Sequence, residues 1–128
     1  MKSKYVLLAS ALLISVATFA QKDQIKAAEK ALKGGKSQEA VTILAEAESL
    51  IANASDAEKA QFFFVKGNAL LDLANKKVST DTNLSLAAKA YQDLIDVEKA
   101  SGKGKYSAQA AASVTDIKFK LINAAIAD

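Results

Sequence analysis

The chain has 128 residues, enough for one domain, with a formal charge of +3 carried by 17 lysines and no arginine. It has no cysteine or histidine, which excludes disulfides, thiolate metal sites, a cysteine nucleophile and Ser-His-Asp hydrolases, and removes the usual general base. Arginine's planar fork reads phosphates and base edges better than lysine does, so this basic balance is a poor case for nucleic acid, while 27 alanines and no proline favour helix.

Residues 1–20, "MKSKYVLLASALLISVATFA", have a basic start, an apolar run from Val6 to about Ala17 and small residues before Gln21. That is the pattern of a secretory signal peptide, with cleavage expected after Ala20. A membrane anchor is the competing reading. It needs about 20 apolar residues, and this run is shorter and holds Ser10 and Ser15. Gln21 follows the cut and no cysteine is available, so a lipid-anchored lipoprotein is excluded. A Gln at this place resembles exported proteins of the Bacteroidetes type. Without Lys2 and Lys4 the rest of the chain carries 15 lysines against 14 acids, a net of +1, and a general pull towards polyanions loses its basis.

Five helices are expected over residues 21–128, with polar or glycine-containing breaks. The first covers about Lys22 to Lys33, with Ile25, Ala28 and Leu32 at helical spacing, and Gly34-Gly35 stops it. The second covers about Ser37 to Asn53, with Ser37 as its cap and Ala40, Ile43, Leu44, Ala47, Leu50 and Ile51 as its apolar stripe. Ser55 and Glu58 form a capping-box pattern for the third, about Asp56 to Lys76, whose buried side is marked by Phe63, Gly67, Leu70, Leu71 and Ala74. "KKVSTDTN" reads as a polar loop of about eight residues. The fourth covers about Leu84 to Ala100, and "SGKGK" breaks it from the fifth, about Ser107 to Ala127, which carries Val114, Ile117, Leu121, Ile122 and Ala125. No segment alternates with period two. An all-α domain of antiparallel helical hairpins is therefore expected.

Gly35-Lys36-Ser37 matches the tail of a phosphate loop, which requires G-x-x-x-x-G-K-[ST] between a strand and a helix. Lys30 stands where the first glycine is needed, and an amphipathic helix precedes the turn instead of a strand. No nucleotide, metal or other cofactor is expected.

The spacing around that turn carries a different signal. Gly35 is followed by Glu39-Ala40, then Leu44 and Ala47, and Ala28 lies twelve residues before Ala40. This resembles the tetratricopeptide repeat (TPR), a 34-residue helix–turn–helix unit. Gly67, with Phe63 before it and Leu70 after, and Ala87 with Tyr91 repeat the pattern, although Gly67 and Ala87 are 20 residues apart instead of 12. Ser37 stands where an aromatic is usual, and Ala52 where a proline is usual. The resemblance covers roughly residues 22–100. It implies small residues at close helix crossings and a short stacked solenoid. It also implies a concave face formed by the first helix of each unit, and shifting the first unit onto the second places Ile25, Glu29 and Lys33 level with Phe64, Asn68 and Asp72. These six are the candidate partner-binding residues. A solvated face beside the core is the bland alternative.

Of Phe62 to Phe64, Phe63 is expected in the core with Gly67, one of its neighbours faces the next repeat and the other contacts a partner; burial of all three between repeats is the bland alternative. Asp93, Asp96 and Glu98 read as a solvated charged face, and "GKGK", Gly102 to Lys105, as a flexible basic loop. The expected function is a non-catalytic scaffold binding a peptide or protein, exported to the periplasm or beyond the cell, with no nucleic acid and no stable membrane insertion after cleavage. The alternative is a structural helical-hairpin domain of an envelope complex. An enzyme is disfavoured. The apolar stripe of the fifth helix has no partner helix after it, which suggests either the N-terminal part of a longer repeat array or self-association through that helix.

Overall fold

The computed structural model describes residues 21–127, and these are helical with no strand among them. The expected export signal and its cleavage site lie outside the described residues. Helix α1 occupies residues 21–33, and α2 is Ser37–Ala47, continued by a 3-10 segment, Glu48–Asn53. Then follow α3 (Asp56–Asn75), α4 (Thr80–Ser101) and α5 (Ser107–Ala127).

The turns explain where the helices stop. After α1 the Gly35 N–H donates to Leu32 O and the Lys36 N–H to Ala31 O, with Gly35 left-handed at φ 79°. This satisfies carbonyls that a helix end leaves open, at a position where an L side chain would be strained. The α3–α4 turn has the same two bonds, Lys77 N–H to Ala74 O and Val78 N–H to Leu73 O, but the left-handed residue is Lys77 at φ 66°. Ser79 is also left-handed at φ 40°, and the Asn83 side chain donates to Val78 O at 2.7 Å. These contacts start α4 at Thr80, four residues before the expected Leu84. The loop of eight residues is thus a break of four, and the rest of "KKVSTDTN" is helix. The extra spacing between Gly67 and Ala87 is taken up by longer helices.

Two other local expectations change. Ser37 makes no cap bond for α2; its buried hydroxyl donates to the Asp72 carboxylate of α3. The second helix tightens to 3-10 geometry after Ala47 before reaching Asn53. Ser55 does cap α3, accepting from the Glu58 N–H at 3.2 Å.

Helix α3 is central because it buries two stripes. Phe62, Val65 and Ala69 pack with Ile25 and Ala28 of α1, Ala40, Leu44 and Ala47 of α2, and Ile51. Leu70 and Ala74 pack with Leu84, Ala87, Tyr91 and Leu94 of α4 and Ala110 and Ile117 of α5. Half-buried Val41 and Phe63 touch both cores. Phe62, not Phe63, is the fully buried member of the phenylalanine run, since it lies on the stripe with Val65 and Ala69. The small residues Ala28, Ala40, Ala47, Gly67 and Ala87 are all buried. At Gly67 the reason is direct: a Cβ would lie 2.6 Å from Tyr91 Cε1, so only glycine lets α4's tyrosine cross α3 this closely.

Candidate functional site

A groove of about 630 Å³ lies at one end of the molecule, where the start of α3, the end of α4 and the α4–α5 turn meet Lys22 of α1. Ser55, Glu58 and Gln61 of α3 form one wall, and Ser101, Lys103, Lys105 and Tyr106 form the other. Each wall follows from a helix terminus. Ser55 and the first turn of α3 face the groove because Ser55 caps that helix. The opposite wall is held by Glu98.

Glu98 is only 4% exposed. Its carboxylate accepts from the backbone N–H groups of Lys105 (2.9 Å), Tyr106 (2.9 Å) and Ser107 (2.7 Å), and from the Ser107 hydroxyl (2.7 Å). Burial works to raise its pKa, but these four donors outweigh it and hold the carboxyl below its usual value. Glu98 is therefore an internal cap on the start of α5, and the basic segment after Gly102 wraps around it. The expectation of a solvated acid here is overturned: the open amides of a helix start, one turn of chain away, are better partners than water for a side chain the packing has buried. The sequence signal was available. An acid shortly before a glycine break and a helix-starting serine is placed to reach forward to it.

The charges in the groove balance. Lys22, Lys103 and Lys105 stand against Asp56 and Glu58 at the surface and the buried Glu98 behind them. Glu58 accepts from Gln21 Nε2 at 2.5 Å and lies 3.9 Å from Lys22 Nζ. Lys105 Nζ sits 5.1 Å from the centre of the Tyr106 ring. Such a surface offers hydrogen bonding of both signs around an aromatic, without the excess cation that a polyanion would require.

The six residues expected to line a concave face do not form one open stripe. Ile25 is 1% exposed and belongs to the first core, so its side chain is not available to a partner in this fold; a stripe with i, i+4 spacing on α1 runs partly into the helix's buried side. Glu29 is half-buried and Lys33 exposed on α1. Phe64 stacks on Tyr106, with centroids 4.4 Å apart and planes at 17°, and so backs the groove wall. Asn68 Oδ1 accepts from the Tyr91 hydroxyl at 2.5 Å. Burial pushes that hydroxyl up to about 12, and Ser113 of α5 acts the other way. Asp72 accepts from Lys76 Nζ at 2.8 Å and from Ser37, bonds that lower its pKa in that order. Phe64, Asn68 and Asp72 thus tie α3 to the α4–α5 turn, α4 and α2.

Asp93 and Asp96 rim a second depression of about 430 Å³ whose floor is Ile51, Phe63 and Val97. Asp93 pairs with Lys89 at 3.3 Å, and Asp96 accepts from Gln92 at 3.1 Å. Among the described residues no group of three or more acidic side chains is placed to hold a metal ion. No described helix is long and apolar enough to cross a membrane. No family model, no curated protein and no solved structure matches the chain.

Proposed function

We propose that the chain is a non-catalytic, TPR-like scaffold that binds a peptide or protein segment in the groove at the α3–α5 end. The observation that carries this reading is the groove itself, which has two helix-end walls, balanced charge and Tyr106 backed by Phe64. The buried small residues at the helix crossings support the repeat-like part. The absence of histidine and cysteine supports the non-catalytic part. In the same reading, residues 1–20 export the protein. The partner segment is mixed in charge, because the walls offer both lysine ammonium groups and the carboxylates of Asp56 and Glu58.

Amide chemical-shift mapping of the protein with binders selected from a random peptide library tests this. Shifts gathered on Lys22, Gln61, Ser101, Lys103, Lys105 and Tyr106 are expected. Replacing Lys103 and Lys105 together by Glu should weaken those binders by about tenfold or more while leaving helicity intact. Binders whose shifts fall elsewhere, or that ignore the double change, rule the groove out.

A further inference from the structure

Helix α5 is apolar on two opposite faces. Ala110, Val114, Ile117 and Leu121 face the second core. On the other side, Ala108, Ala112, Thr115, Phe119, Ile122 and Ile126 recur at helical spacing with no charge among them. Phe119 is 63% exposed, Ile122 55% and Ile126 78%. Exposed large apolar side chains aligned on one helix face mark an interaction surface. Thr115 does not spoil it, because its hydroxyl already donates to Ala111 O at 3.1 Å.

We infer that this face pairs with the same face of a second copy of the chain, antiparallel about a twofold axis near residue 118. Three observations select that occupant. The face is graded, with alanine in its N-terminal half and Phe119, Ile122 and Ile126 in its C-terminal half. Antiparallel self-pairing sets the large half of one copy on the small half of the other, so that Ile126 falls among Ala108, Ala111 and Ala112 of the second copy. One flank adds no repulsion: Asp116 and Lys120 pair with each other at 3.0 Å within the chain, and with the axis at residue 118 each stands level with its opposite charge on the other copy. The net charge of +1 over residues 21–128 leaves little repulsion between copies. Residues 108–126 run about 27 Å at 1.5 Å per residue. A helix pair of that length buries on the order of 1,000 Å² in total, the lower end for specific association. The other flank sets Lys118 against its own copy, which keeps the dimer weak.

Sedimentation equilibrium of the protein should therefore show a concentration-dependent dimer. Phe119→Lys should weaken it by about tenfold or more with unchanged helicity, because the side chain is exposed in the single chain. Lys118→Ala should tighten it about threefold at low salt, since only a twofold axis there places Lys118 against itself. The chain has no cysteine, so cross-linking is clean: a mixture of Ala108→Cys and Ile126→Cys chains should form the mixed disulfide. A monomer at every concentration, self-linking of Ala108→Cys, or a Lys118→Ala dimer no tighter than the parent overturns the proposal.

Discussion

The α1–α2 and α3–α4 hairpins close with the same pair of backbone bonds but with different residues in the strained position. In the first, Gly35 takes the left-handed conformation at little cost and a Cβ there would meet nothing. In the second, Lys77 and Ser79 both take it, and Asn83 compensates by bonding Val78 O. The helix crossings differ in the opposite sense. The first hairpin meets through alanines, Ala28, Ala40 and Ala47, whereas the second sets Gly67 under the ring of Tyr91. A helix pair can therefore place its demanding glycine either at the turn or at the crossing, and the position shows which contact has no room.

That contrast can be broken most severely at Gly67. Gly67→Ala should cost about 2–3 kcal/mol by chemical denaturation, because the buried Tyr91 has nowhere to move and the gain in helix propensity offsets only part of the clash. A neutral result would mean the α3–α4 crossing is looser than described. The α4–α5 turn extends the comparison, since a side chain closes it. Glu98→Gln should cost about 2 kcal/mol at neutral pH, the scale of hydrogen bonds to a charged group. Because the folded-state pKa of Glu98 is depressed, its contribution is complete above the unfolded value and is lost as pH falls through the folded one. The parent should lose stability on acidification below the ordinary glutamate range more steeply than the variant does, and parallel acid limbs would remove Glu98 from this role. The turns themselves give the smallest effects, of opposite sign. Gly35→Ala should destabilise by about 1 kcal/mol, and Lys77→Gly should stabilise by about 0.5 kcal/mol, both read as shifts in the denaturation midpoint.

The hairpins were legible in the sequence because their signals are local. Helical spacing, the Gly34-Gly35 stop and the Ser55 cap need no knowledge of what packs where. The small residues at the crossings were legible for a related reason, since Ala28, Ala40, Gly67 and Ala87 keep fixed distances from larger neighbours along the chain. What escaped depended on three dimensions. Ser37 bonds α3 and not its own helix because Asp72 lies beside it in space. Phe62 displaced Phe63 from the deepest position because α3 buries two stripes, and a single-stripe reading cannot choose between adjacent residues. The early start of α4 rests on Asn83 reaching back to Val78, a bond that a polar run by itself does not announce. The candidate stripe lost Ile25 to the core for the same reason as the phenylalanines: the repeat spacing says which residues correspond, not which side of a helix the neighbours leave open.

The double burial of α3 has a consequence for how the molecule comes apart. With Val41 and Phe63 touching both apolar clusters, neither cluster can open without exposing part of the other. Amide hydrogen exchange should find α3 protected to the level of global unfolding, with α1, α2 and α4 close behind. In the single chain the distal half of α5, anchored on one side only, should exchange earliest by opening alone, and pairing with a second copy should slow it.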